Sequence, residues 1–121
     1  MYAFNLLNHV HQIIIEDTDN RRTLFQSYGF LISENKYGYV ERSLTRHAYK
    51  YSPSLAKHLK AFIEYTNYHK VVNQLIEDKI FKNFKDFMLS YLEIKVFYDS
   101  DFRITYKDIN GEEHVYKDKI R

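Results

Sequence analysis

Arginines, lysines and tyrosines crowd the middle third of this 121-residue chain. Between residues 36 and 70, Lys36, Arg42, Arg46, Lys50, Lys57, Lys60 and Lys70 are set against only Glu41 and Glu64. The local balance is +5 in a chain whose net charge is +2. Interleaved with them are Tyr37, Tyr39, Tyr49, Tyr51, Phe62, Tyr65 and Tyr68. Cations neutralise phosphates and aromatic faces stack on bases, so this pairing suits nucleic acid, a nucleoprotein or an acidic protein surface. The residues expected to make that contact are Arg42, Arg46, Tyr49, Lys50, Tyr51, Lys57, Lys60 and Tyr68, with the five cations among them on phosphates. Tyr68 projects to the same helix side as Lys57 and Lys60, opposite the apolar stripe. Phe62 belongs to the core.

Other constellations read as structure. His9 and His11 lie on a predicted helix, where they diverge by about 200°. His58 and His69 on one helix stand about 16 Å apart, far beyond metal-ligand reach. No metal site and no cofactor is therefore expected. Arg42 and His47 match the R-x4-H spacing of small helical ribonucleases of the HEPN type, but the segment ends a predicted strand where that family needs a helix. Glu93-Ile94-Lys95 resembles the E-x-K half of a restriction-type nuclease motif, since i and i+2 share a strand face. It lacks the further acidic strand and the following helix, and cross-strand partners on a solvated sheet face account for it better. Asp17-x-Asp19 and Asp99-Ser100-Asp101 do not continue as EF-hand loops and read as turns. With only Gly29, Gly38 and Gly111, no phosphate-cradling glycine loop is present, and with no cysteine there is no thiol nucleophile.

The elements that must position the basic stretch follow from periodicity. Leu6, Leu7, Val10, Ile13 and Ile14 predict an amphipathic helix over residues 3–15. Residues 24–33 and 37–44 are rich in β-formers and predict a hairpin, with Ser33-Glu34-Asn35-Lys36 as its turn. Ser52-Pro53 marks a helix start. Its stripe of Leu55, Leu59, Phe62 and Ile63 changes side after Thr66, so a break is expected between residues 66 and 70. Asn83 caps a further helix carrying Phe84, Phe87, Met88 and Tyr91. Residues 91–98 change to period 2, and Asn110-Gly111 predicts a type I′ hairpin pairing Tyr106 with Val115 and Arg103 with Asp118.

The expected fold is a single α+β domain over residues 1–121. An N-terminal hairpin and a C-terminal three-stranded meander form a mostly antiparallel sheet, covered on one face by three to four helices. An apolar content of 45% is enough for one core. No targeting segment and no run of about 18 apolar residues is present, which together with the absence of cysteine predicts a cytoplasmic protein with no membrane partner. The expected function is non-enzymatic binding of nucleic acid or a nucleoprotein complex, with a homodimer left open. The alternative is an inhibitor or adaptor binding a host protein, of the anti-defence, anti-CRISPR-like kind carried by phages, plasmids and other mobile genetic elements. A small metal-dependent nuclease stands third.

Overall fold

The computed structural model of the chain describes residues 1–47, 49–98 and 103–117, with Lys117 as backbone alone. Eight strands build it: β1 (Tyr2–Asn5), β2 (Gln12–Asp17), β3 (Arg22–Ser27), β4 (Phe30–Tyr37), β5 (Glu41–Arg46), β6 (Tyr91–Phe97), β7 (Arg103–Asp108) and β8 (Glu113–Lys117). They form one antiparallel sheet in chain order, each strand beside the next. Between β5 and β6 the chain inserts three helices, α1 (Pro53–Tyr65), α2 (His69–Glu77) and α3 (Phe84–Ser90). The α+β class holds. The hairpin plus separate three-stranded meander does not, because five consecutive strands precede the helices and join the last three in a continuous sheet.

The N-terminal helix is the largest correction. Its residues form β1, a 3-10 turn over Leu6–Asn8, and β2. Leu7 and Asn8 take left-handed backbone with φ of 51° and 57°. The Asn5 side-chain amide donates to the carbonyls of His9 and Val10, which closes the reversal. The β-branched run Ile13-Ile14-Ile15 then favours a pleated strand. Ile14 enters the core while Ile13 points to the other face.

The first hairpin turn is also displaced. Ser33-Glu34-Asn35-Lys36 lies inside β4, whereas the chain turns at Tyr28-Gly29 and again around Gly38. Tyr28 and Gly29 both have positive φ, 51° and 81°, between the paired residues Ser27 and Phe30. That is a two-residue I′ turn, the form that matches strand twist. The polar run persists in a strand because the sheet partners it. Ser33 Oγ donates to the Thr45 carbonyl, and Glu34 meets Lys36 at 3.7 Å and His47 at 3.4 Å. Asp17 accepts from Asn20 and Arg22, and those bonds hold its carboxyl below the usual range.

The helical insertion follows its sequence signals closely. Ser52 Oγ accepts from the Leu55 N–H, and Asn83 Oδ1 from the Asp86 N–H. The expected break lies at Thr66–Tyr68: Asn67 has φ 63°, its N–H bonds the Glu64 carbonyl, and the Tyr68 N–H bonds the Ile63 carbonyl. Those two bonds define a Schellman termination with asparagine in the left-handed position. The last hairpin closes at Gly111 as expected, but only Gly111 has positive φ and Asn110 does not. The loop is therefore a type I turn followed by a bulge, and the register moves by one: Tyr106 pairs with His114 and Thr105 with Val115. Asp118 and the Asp99–Asp101 turn lie outside the described residues.

The helices cover one sheet face. Ile14, Phe25, Leu44, Ile94, Val96 and Ile104 of the strands meet Leu59, Phe62, Ile63, Val72, Leu75 and Met88 of the helices in one core. Phe25 stacks on Phe62 with centroids 5.6 Å apart. Tyr68 is also in this core. It is 0% exposed, and its hydroxyl donates to the Ile94 carbonyl at 3.0 Å. Its expected outward projection fails because α1 stops at Tyr65 and the reversal at Asn67 resets the phase. Tyr68→Phe is expected to cost about 1–2 kcal/mol by removing that buried bond. Urea denaturation with an unchanged m-value checks this, whereas an outward tyrosine would give no loss.

Candidate functional site

Alternation along β5 separates its residues between two sheet faces. Arg42, Leu44 and Arg46 share the helix-covered face, and Ser43 and Thr45 the other. The Arg42 guanidinium donates to the carbonyl of Thr66, the residue ending α1, and lies 5.4 Å from the centre of the Tyr68 ring. A cation at a helix C-terminus also complements the macrodipole. Arg46 donates to the Tyr49 carbonyl at 3.2 Å and stacks 4.3 Å from the Tyr49 ring centre. Arg42 thus ties β5 to the end of α1, and Arg46 ties it to the chain that precedes α1.

Lys50, Lys57 and Lys60 differ. All three are exposed, and among the described residues none has an ion-pair partner within 4 Å. Arg22, Lys36 and Lys95, by contrast, all have carboxylates beside them. On α1, Ser54, Lys57 and Lys60 recur every third residue, about 4.5 Å apart along the axis. This row begins at a cleft. Tyr51 is half-buried against the core, with Lys85 5.0 Å from its ring centre.

The cleft has a volume of about 480 Å³ and lies between the Tyr28-Gly29 hairpin and the start of α1. Gln12, Ser27 and Ile32 form its buried floor. Tyr28 and Phe30 stand exposed at its rim, and Tyr49 and Leu55 line the opposite wall. Lys50, Ser52 and Ser54 complete the mouth. Burial pushes the Tyr49 hydroxyl pKa up, opposed by Arg46. The hydroxyl donates to the Met88 carbonyl, which fixes the ring. Gln12 and Ser27 are opposite each other in the β2–β3 ladder, which is why both reach the same floor.

Two features of this end are energetically unusual. Tyr28 holds left-handed backbone, which costs a residue with a bulky side chain about 1–3 kcal/mol. Its ring stacks on His11 with centroids 4.5 Å apart, and its N–H bonds the His11 carbonyl. Gln12 is only 2% exposed, yet among the described residues its Oε1 has no hydrogen-bond partner. A buried acceptor left without a donor costs about 1–3 kcal/mol.

The site is not legible in the sequence because Gln12 of its floor comes from β2, whose residues are spaced as for a helix. The Tyr28-Gly29 turn was the available signal. His9, His11 and His58 do converge, contrary to the helical projection: His9 stands 5.8 Å from His11 and 5.1 Å from His58, centre to centre. His9 Nδ1 accepts from the His11 N–H, and His58 Nδ1 bonds the Ser54 carbonyl. Among the described residues, the group with ligand atoms all within 4.8 Å of one another is instead Asp108, Glu112 and His114. There Asp108 closes the last turn: Oδ1 accepts from the N–H groups of Asn110 and Glu112, and Oδ2 pairs with His114 at 2.8 Å. Bonding to His114 holds its carboxyl below the usual range.

The nuclease-like spacings resolve into sheet partners. Arg42 lies on the helix-covered face of β5 and bonds Thr66, while His47, just past the strand, pairs with Glu34. Glu93 accepts from Thr45 Oγ1 at 3.2 Å, and Lys95 reaches Glu93 at 3.6 Å and Glu41 at 3.9 Å.

The division between bonded arginines and unpaired lysines has a measurable consequence. Arg42→Met is expected to destabilise by about 1.5–3 kcal/mol, the worth of a hydrogen bond from a charged donor. Lys57→Met should stay within about 0.5 kcal/mol. Chemical denaturation of both variants checks the contrast, and equal losses would contradict it.

Compared with family models, curated proteins and solved structures, the chain gives no match, so the site rests on its own geometry.

Proposed function

We propose that this is a non-enzymatic binding protein that holds a nucleic acid strand along the exposed side of α1. The observation that carries this reading is the row of exposed, unpaired lysines leading to an aromatic-lined cleft. Lys57 and Lys60 neutralise successive phosphates, Lys50 meets the strand at the mouth, and Tyr28 and Phe30 offer ring faces to bases. Electrostatic contact of this kind is indifferent to sequence, and stacking adds affinity for unpaired bases. Arg42 and Arg46 contribute indirectly, by fixing α1 and Tyr49 against the sheet.

A second reading is favoured by a patch at the other end of β4. Tyr39, Val40 and Tyr98 are exposed together, with the Tyr98 N–H bonding the Val40 carbonyl and Arg21 stacked 4.3 Å from the Tyr39 ring centre. Aromatic and arginine side chains dominate protein interfaces, so an inhibitor or adaptor of a host protein would dock there. Tyr39→Ala would abolish such docking and leave strand binding untouched.

Fluorescence anisotropy with a short labelled single strand tests the first reading. Three lysine contacts predict a log–log salt slope of about −2, since each single-strand contact contributes about −0.7. Lys57→Glu with Lys60→Glu should weaken binding at least tenfold. The pair Lys82→Glu and Lys107→Glu, exposed elsewhere, should change it far less. Equal effects of the two pairs, or no binding at low salt, would overturn the reading.

A further inference from the structure

The structure assigns the cleft beside α1 to a nucleoside monophosphate unit, with its base inserted toward Gln12 and its phosphate at the mouth. Three independent observations converge on that chemistry.

The first is the mouth. Pro53 has no N–H, and the N–H of Leu55 is taken by Ser52, so Ser54 brings the first-turn N–H that the helix itself does not bond. Its hydroxyl and the Lys50 ammonium lie on the same cleft. A helix N-terminus of 13 residues with a lysine and a serine is an anion site in dipole, donors and charge. The carboxylates nearest in sequence, Glu41 and Glu64, do not line it.

The second is the floor. Gln12 lines the cleft with its amide buried and, among the described residues, its Oε1 unpartnered, so a ligand seated against that floor and carrying a donor would satisfy it. An unprotonated phosphate oxygen cannot satisfy it, being itself an acceptor. An amino group on a base edge can. A glutamine amide pairs in bidentate fashion with the adenine N6 amino group and N7. Gln12 therefore asks for a ligand that is anionic at one end and carries a donor at the other.

The third is the space between. Tyr28, Phe30, Ile32, Tyr49 and Leu55 form its walls, suited to a flat ring. A volume of about 480 Å³ falls in the range of small-molecule sites. The strain held at Tyr28 places its ring at the rim of this slot.

Such a unit has two sources: a free nucleotide, or one nucleotide of a bound strand. Only the second rests on the proposed strand path along α1. Amide chemical-shift titrations with AMP, adenosine and inorganic phosphate, beside anisotropy with a short oligoadenylate, separate them. For the whole chain, AMP should give saturable shifts centred on residues 12, 27–32 and 49–55. Gln12→Leu should weaken AMP and adenosine alike by about tenfold and leave phosphate unchanged. Lys50→Ala should weaken AMP about tenfold and leave adenosine unchanged. Lys57→Glu with Lys60→Glu should weaken the oligonucleotide but not AMP; if AMP binds and the oligonucleotide does not, the cleft stands for free nucleotide and the strand path falls. Shifts from AMP that do not saturate or lie elsewhere would overturn the assignment, as would Gln12→Leu with unchanged AMP affinity. Because the first criterion uses the unaltered protein, misfolding of a variant cannot rescue the proposal.

Discussion

The pairing of β5 with β6 is the constraint on which the rest depends. These strands are neighbours in the sheet, yet residues 47–90 are inserted between them. Loop closure over such a length is costly unless the insertion earns contacts of its own. It does so by laying the apolar stripes of α1 and α2 on the inner sheet face. Two bonds lock the arrangement: Arg42 of β5 to the end of α1, and Tyr68 at the helix break to the carbonyl of Ile94 in β6. The Tyr68 bond is buried in the core, and the partly buried Arg42 bond is charge-assisted, so both outweigh an ordinary exposed hydrogen bond.

That lock also explains the cleft. With the C-terminal end of α1 held against β5, its N-terminal end lies over the β2–β3–β4 end of the sheet, where Gln12, Ser27 and Ile32 form a floor. Arg46 does for the chain before α1 what Arg42 does for its end, gripping Tyr49 through its carbonyl and its ring. Arg42 and Arg46 are bonded within the scaffold, whereas Lys50, Lys57 and Lys60 are exposed and have no ion-pair partner among the described residues. Composition shows a basic, tyrosine-rich stretch without distinguishing these roles. Strand alternation at positions 42, 44 and 46 makes the distinction.

What was legible in the sequence had a local physical cause. Ser52-Pro53 and Asn83 are capping residues whose side chains do their work within one turn. The break near Asn67 was visible as a change of apolar phase, and Gly111 marked a turn because only glycine accepts its backbone freely. What was illegible depended on distant partners. Leu6, Leu7, Val10, Ile13 and Ile14 fit a helix by spacing, and pairing with β1 and β3 adds to the β-branched run to select a strand. Glu34 and Asn35 look like turn residues until Lys36, His47 and the neighbouring strands surround them. Tyr68 was placed by extending the α1 helical projection past its end, where it no longer applies. The cleft is hidden for a similar reason, since one of its three floor strands, β2, is disguised by local periodicity.

The central claim is that bases enter the cleft while phosphates follow the lysines. Photocrosslinking tests it most directly: a short single strand carrying one photoreactive base is irradiated on the protein, and the attachment site is mapped by mass spectrometry. The account predicts attachment at Tyr28, Phe30 or Tyr49, the rings that border the cleft. Attachment on the uncovered sheet face, or around Tyr39 and Tyr98 at the far end of β4, would contradict it.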